Sequence, residues 1–135
     1  MPRLEDFENP TEDQECEAFS QWLTLKKIPH THIGNESGRG RAAMLRTAKL
    51  KRMGQSAGFP DYLVVIIGSF IVQGVGEISE IYLPRLVAIE MKRKKGGRVS
   101  EAQQEWIDIL NSAGVETVVC KGFDEAKQFI EERIK

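Results

Sequence analysis

The sequence predicts an α/β fold in which helices pack on the faces of a β-sheet. Three short apolar runs rich in β-branched side chains have the length and composition of buried strands: 62–67, 85–92 and 115–120. Segments with helical periodicity lie before, between and after these runs, an order typical of a sheet covered by helices. A chain of 135 residues, 41% of them hydrophobic, suits a single domain over 1–135 with one core.

The first helix is predicted to begin at Thr11, whose side chain suits an N-cap, and to end before Pro29. Its apolar residues recur at helical spacing and define the face that packs on the sheet: Cys16, Phe19, Trp22 and Leu23. We expect a short strand over 31–33 and a glycine-rich turn over 34–40 to follow.

Three further helices are expected. A strongly basic helix covers about 42–53 and stops at Gly54. Another opens at residue 100 or 101 and continues to about 112, and Asp124 is predicted to cap the last one. The segment 68–84 mixes apolar residues with glycines, so we expect an inserted β-hairpin that extends the sheet or provides a dimer surface.

The formal net charge of -1 would disfavour nucleic acid as a partner, but the charges are segregated along the chain. Residues 1–17 carry seven acids and one base, whereas 37–60 and 92–98 carry six and five bases and no acid. Such runs favour DNA-backbone contacts, although a solvated basic surface is the alternative. The candidate contacts are Arg39, Arg41, Arg46, Lys49, Arg52, Arg93, Lys94, Lys95 and Arg98.

Several other classes are disfavoured. Cys16 and Cys120 match no metal or redox spacing, which favours a reducing cytoplasmic setting over a disulfide scaffold. The acidic N-terminal residues lack the apolar region of a secretory signal. The longest uncharged stretch, 62–76, is too short for a membrane span, so no membrane association is expected.

The strand Ala88-Ile89-Glu90-Met91-Lys92 contains the most informative pair of residues. Because side chains alternate along a strand, Glu90 and Lys92 share a face, with Cα atoms about 6.5–7 Å apart. A carboxylate that holds a hard cation beside a lysine that steadies negative charge suits hydrolysis. The alternative is a surface ion pair of little energetic consequence.

Asp61 and Gln103 complete the candidate site. Asp61 follows Gly58-Phe59-Pro60 at the mouth of a strand, and with Glu90 it supplies the two carboxylates that Mg²⁺ typically takes from protein. Gln103 shares a helical face with apolar residues, which directs its amide toward the sheet. Alternatively, Asp61 is a turn residue whose side chain bonds its own backbone, and Gln103 is a polar residue at the end of an apolar stripe.

The motifs Gly-x-Pro-Asp, Glu-x-Lys and Ser-x-x-Gln, in this order, resemble the virus-type replication–repair nuclease (VRR-NUC) family of the PD-(D/E)xK nuclease superfamily. The likeness extends over about 12–134 and includes AKLKRMGQSAGFPD, AIEMKR, GGRVSEAQQEWIDIL and VVCKGFDEAKQFI. It implies a restriction-endonuclease-like core with a mixed central sheet flanked by helices.

The resemblance also implies a phosphodiesterase that acts on DNA and requires Mg²⁺ or Mn²⁺. Asp61, Glu90 and the Met91 carbonyl match the metal ligands, Lys92 the catalytic lysine and Gln103 the glutamine near the site. The family places a glutamate of the first helix at the site as well. We choose Glu15, which lies on the core-facing stripe, and Glu12, one turn earlier, is the competitor.

The function implied is a structure-specific endodeoxyribonuclease that cuts branched DNA, such as four-way junctions or flaps, as a homodimer. One alternative is a non-catalytic subunit that keeps the fold to bind DNA structures. The other is a restriction-type endonuclease that cuts linear duplex at a defined sequence.

Overall fold

The computed structural model describes residues 8–34 and 40–134 of the chain. The helices are α1 (Glu12–Leu25), α2 (Arg41–Arg52), α3 (Glu101–Ser112) and α4 (Phe123–Arg133). The strands are β1 (His30–His32), β2 (Tyr62–Gly74), β3 (Glu77–Lys92) and β4 (Glu116–Lys121). The predicted α/β class is confirmed.

The strands form one sheet in the order β1-β2-β3-β4. β1 and β3 both pair with β2 in the antiparallel sense, whereas β4 lies parallel to β3. The chain crosses from β3 to β4 through α3, because two parallel neighbours require such a connection. The sheet is therefore mixed, as the resemblance implies.

The hydrophobic core lies on one face of the sheet, against α1 and α4. Alternate residues of the two central strands point into it: Tyr62, Val64 and Ile66 from β2, and Val87, Ile89 and Met91 from β3. The helices contribute Cys16, Phe19, Leu23, Ala126, Phe129 and Ile130. Because strand side chains alternate, Glu90 and Lys92 project from the opposite face of β3.

β2 and β3 continue well beyond this core as a two-stranded ribbon. Their register starts at Tyr62 opposite Ile89 and ends at Gly74 opposite Glu77. β1 covers only 62–64 of β2, and β4 covers only 87–92 of β3. We call residues 67–84 the distal ribbon. The predicted inserted hairpin is thus the outer half of one long hairpin.

The helix starts match the predictions except at α4. Thr11 caps α1 and Ser100 caps α3, each in a reciprocal capping box with the glutamine three residues later. The prediction that Asp124 caps the last helix is wrong, because the chain turns at Gly122 and α4 begins at Phe123. The Phe123 N–H is instead bound by the carboxylate of Glu15 from α1.

The cysteines lie inside the fold. Both Cys16 and Cys120 are buried free thiols, and burial raises the pKa of each to about 12. Neither thiol is therefore reactive at neutral pH. Over 8–34 and 40–134, the structure contains no helix with the length and apolar character that crossing a membrane demands.

Candidate metal centre

Three carboxylates from three separate segments of the chain meet at one end of the sheet. Glu12 lies in the first turn of α1, Asp61 directly precedes β2, and Glu90 lies on β3. One oxygen atom of each lies within 4.8 Å of the other two. Such a group of oxygen ligands suits a hard divalent cation.

Asp61 is fixed by its neighbours on both sides. Its Oδ2 accepts a hydrogen bond of 2.7 Å from the Met91 backbone N–H, and its carbonyl accepts one from the Ile33 N–H. Since Tyr62 pairs with Ile89, Asp61 lies one position further along, beside Glu90. The same backbone pairing that builds the sheet therefore brings the two carboxylates together.

The loop before Asp61 approaches the start of α3 very closely at Gly58. Gly58 has a φ of +89°, and a Cβ atom built there would lie 2.5 Å from the Ala102 carbonyl carbon. The next residue, Phe59, packs edge-on against Trp106 of α3, with 5.0 Å between ring centroids. Only glycine fits this contact, which holds the Asp61 loop against the helix that carries Gln103.

The two oxygens of Glu90 have different environments. Oε1 accepts a 2.6 Å hydrogen bond from the Gln103 amide and lies 3.5 Å from the Lys92 Nζ. Oε2 is buried and has no hydrogen-bond partner among the described residues. Glu90 is only 1% exposed and Lys92 only 8%. A buried carboxylate oxygen without a partner is unfavourable, and a bound cation would satisfy it.

The capping box at the start of α3 orients Gln103. Its side-chain oxygen accepts from the Ser100 N–H, which leaves the amide nitrogen to donate to Glu90. The helix start and the site therefore share one side chain. Sequence periodicity predicted that Gln103 faces the sheet, and the structure places it there.

Burial weakens the acidity of the three carboxyl groups, and the negative charge of Asp61 adds to this effect at Glu12 and Glu90. Burial, followed by the negative charge of Asp61, raises the pKa of Glu90 to about 7 against the opposing effect of Lys92. Burial raises the pKa of Asp61, although the Met91 N–H opposes it. The pKa of Glu12 is raised by burial and then by Asp61. A divalent cation would relieve this repulsion, so the residues present fit such an ion.

The choice of Glu15 over Glu12 is not supported by the geometry. The carboxylate of Glu15 binds the Phe123 N–H at the start of α4, and Glu15 is buried there. Glu12, one turn earlier, is the α1 residue that joins Asp61 and Glu90. Helical periodicity placed both residues on the inner side of α1, but it did not show which one meets the sheet and which one meets α4.

The basic residues of the first acid-free run lie mainly on the surface of α2. Arg41, Lys49, Lys51 and Arg52 are exposed, as is Arg46. Arg39, also predicted to contact DNA, lies outside the described residues. The candidate contacts on α2 are therefore exposed along the helix.

The second basic run divides into two kinds of residue. Lys95 and Arg98 are exposed, and the Lys94 Nζ lies 3.5 Å from the Asp124 Oδ2. The Arg93 guanidinium instead donates hydrogen bonds to the carbonyls of Asn9 and Pro10. Arg93 thus anchors the residues that lead into α1, and so helps to place Glu12, a role that its position in a basic run did not reveal.

A mixed sheet flanked by helices, with clustered carboxylates and a buried lysine at one end of its central strands, defines a nuclease-type domain. The family model described as "VRR-NUC domain" matches residues 6–124. A solved structure described as "VRR_NUC domain protein" has a TM-score of 0.67 and 25% identity, over 93% of this chain and 89% of that one. No curated protein matches the chain. The chain belongs to the VRR-NUC domain family, a nuclease family, as its motifs predicted.

Proposed function

We propose that this protein is a divalent-metal-dependent, structure-specific endodeoxyribonuclease that hydrolyses phosphodiester bonds in branched DNA, such as four-way junctions or flaps. The observation that carries the proposal is the carboxylate cluster, together with the buried Oε2 of Glu90, which has no hydrogen-bond partner among the described residues. Asp61, Glu90 and the Met91 carbonyl hold Mg²⁺ or Mn²⁺. Glu12 takes the place at the site that was expected for Glu15.

The chain's own residues have distinct roles in this proposal. When bound, the metal ion lowers the pKa of water and offsets negative charge on the phosphate. Lys92, held 3.5 Å from Glu90, orients the attacking water or neutralises charge that develops on the phosphate. Gln103 fixes the rotation of the Glu90 carboxylate through its hydrogen bond to Oε1.

DNA binding in this proposal is a matter of backbone contacts. The exposed cations of α2 and of 94–98 supply affinity that does not depend on sequence and falls as salt rises. Arg39 remains a proposed contact beyond the described residues. Arg93 and Lys94 have protein partners and contribute less than the sequence suggested.

A cleavage panel tests the proposed function. Purified protein is incubated with four-way junctions, flaps, single strands and linear duplex, with Mg²⁺ and with Mn²⁺. We expect cuts near the branch point and little cleavage of linear duplex. Cuts at one site in a random linear library would favour the restriction-type alternative. No cleavage, together with no calorimetric Mn²⁺ binding, would favour the non-catalytic subunit.

Replacing Glu12 and Glu15 separately by glutamine should give two different phenotypes. Glu12→Gln removes one negative charge from the carboxylate cluster, so we expect Mn²⁺ affinity to fall by at least about tenfold with little change in stability. Glu15→Gln should leave Mn²⁺ affinity unchanged, but weaken the charge-assisted contact with α4 and reduce the free energy of unfolding by about 1 kcal/mol. Calorimetric titration and urea denaturation measure the two effects. The reverse pattern would restore Glu15 as the site residue.

We further propose that two copies associate through the distal ribbon. Ile67, Ile71 and Ile78 are exposed there, and the ribbon's outer backbone edges offer hydrogen bonds to another strand. The segment 67–84 contains two glutamates and no cation, which disfavours DNA as the ligand of this surface. Light scattering should give the mass of a dimer for the wild type and of a monomer for Ile71→Lys/Ile78→Lys. The control Leu25→Lys, at an exposed α1 position, should stay dimeric. A monomeric wild type would contradict the proposal.

A further inference from the structure

Helix α2 exposes two large apolar side chains on its solvent side. Ala43, Thr47 and Leu50 are its buried or partly buried residues and lie on one face. Met44 is 72% exposed and Leu45 60% exposed, both on other sides of the helix. The described part of the chain therefore leaves most of these two adjacent apolar side chains uncovered.

Cations surround this apolar pair. Arg41, Lys49 and Arg52 are exposed on the same side of the helix, at spacings that bring them around Met44 and Leu45. No acid occurs between residues 37 and 60. A surface that joins an apolar centre to a positive rim complements a ligand that is both polyanionic and apolar. DNA with an accessible base-pair face is such a ligand, since its phosphates are anionic and its stacked bases are apolar.

The helix lies close enough to the metal centre to contact the same DNA. Arg52 ends α2 nine residues before Asp61, so the connecting chain spans at most about 30 Å. Met44 lies eight residues before Arg52, about 12 Å further along the helix, so it is at most about 42 Å from Asp61, little more than the roughly 34 Å of one turn of B-form DNA. A cavity lined by Thr47 and Leu50 of the helix and by Ala57 and Gly58 of the loop shows that the connection folds back on α2. One DNA molecule can therefore contact both α2 and the metal centre.

We propose that Met44 and Leu45 form an apolar wedge that contacts the exposed base-pair face at a DNA branch point, while Arg41, Lys49 and Arg52 bind the adjoining phosphates. Inserting an apolar side chain into an intact duplex requires unstacking, at about a few kcal/mol per step. At a branch point the stack is already interrupted, so the same contact is less costly. The wedge thus selects branched over linear DNA, and it rests on the proposed function in taking DNA as the ligand.

Binding measured in EDTA, where no cleavage occurs, tests the wedge. The probes are a four-way junction with 2-aminopurine beside the branch point and a linear duplex of the same sequence. We expect Met44→Ala/Leu45→Ala to weaken junction binding by about tenfold and duplex binding by less than about twofold. The 2-aminopurine fluorescence should rise on binding of the wild type and not on binding of this variant. Alanine favours helix, so α2 is expected to persist.

The matched control removes exposed apolar side chains from other helices. Leu25→Ala/Ile109→Ala changes α1 and α3 and should bind both probes like the wild type. Lys49→Ala should weaken binding of both probes and reduce the salt slope by about one. Equal weakening of both probes by Met44→Ala/Leu45→Ala, or no weakening, would overturn the wedge. A membrane ligand would also overturn the wedge. In that case the wild type would bind vesicles of phosphatidylglycerol and phosphatidylcholine, and the double variant would lose vesicle binding but keep its junction binding.

These outcomes separate the wedge from the proposed function. Junction-selective binding that depends on Met44 and Leu45, without cleavage in Mg²⁺ or Mn²⁺, would support the wedge and refute the nuclease activity. Cleavage of junctions, with binding unaffected by the double variant, would support the activity and refute the wedge.

Discussion

Glu90→Gln should slow cleavage of branched DNA by about 10³-fold or more, because charge stabilisation by a bound metal ion contributes several kcal/mol to phosphoryl transfer. Glutamine keeps the size of the side chain and can still accept a hydrogen bond from Gln103. It removes the negative charge that Glu90 contributes to the carboxylate cluster. Single-turnover cleavage measures the rate, and calorimetric titration measures the loss of Mn²⁺ binding.

The control for this variant is Glu131→Gln. Glu131 lies on the exposed side of α4, where its carboxylate is 3.6 Å from the Lys127 Nζ. An exposed pair of this kind contributes little to stability, so Glu131→Gln should cleave and bind Mn²⁺ like the wild type. If Glu90→Gln cut branched DNA at the wild-type rate, Glu90 would not belong to the catalytic site.

Glu90→Gln should also change how the free energy of unfolding depends on pH in EDTA. The pKa of Glu90 is raised to about 7 in the folded protein from an ordinary value of 4.5, so the folded state binds more protons between these values. The free energy of unfolding of the wild type should therefore fall as pH rises through this window. Glu90→Gln has no such proton to lose, and its decline should be smaller. Parallel pH profiles of the two proteins would contradict the raised pKa.

The parts of the fold that the sequence predicted are those set by local periodicity. Period two placed Glu90 and Lys92 on the face of β3 opposite Met91, and helical spacing directed Gln103 toward the sheet. The structure brings these side chains together at Glu90. The full length of the β2–β3 hairpin was not predicted, because glycines at 68, 74 and 76 look like breaks although the first two lie within the strand.

The geometry differs from the expectations where contacts join elements that are distant in sequence. Glu15 was chosen for the metal site because it lies on the core-facing stripe of the first helix. Its carboxylate instead binds the first N–H of α4, more than 100 residues away. The helix that it caps begins at Phe123, so Asp124 lies in its first turn rather than before it. Arg93 was predicted to bind DNA, whereas it anchors the chain before α1. In each case one side chain had two plausible partners, and only the packing of α1 against α4 and β3 determined which one it meets.

Gly58→Ala should destabilise the protein by about 2–5 kcal/mol, the sum of an unfavourable left-handed backbone and a steric clash. The φ of +89° disfavours any side chain, and the new Cβ would lie 2.5 Å from the Ala102 carbonyl carbon. Gly114→Ala is the matched control, since Gly114 has the same φ of +89° and no atom within 4 Å of such a Cβ. Gly114→Ala should lose only about 1–2 kcal/mol of unfolding free energy, the contribution of the left-handed backbone alone. Urea denaturation measures both losses.

The clash at Gly58 should also disturb the metal centre. Relieving it requires the loop before Asp61 to move away from the start of α3, where Ser100 and Gln103 form the capping box. Movement of the loop weakens the Asp61–Met91 hydrogen bond, and movement of the helix weakens the Gln103–Glu90 hydrogen bond. We therefore expect Gly58→Ala to bind Mn²⁺ at least about tenfold more weakly under conditions where it stays folded, with Gly114→Ala unchanged. Equal stability losses and unchanged Mn²⁺ binding in both variants would mean that the close approach at Gly58 does not position the site.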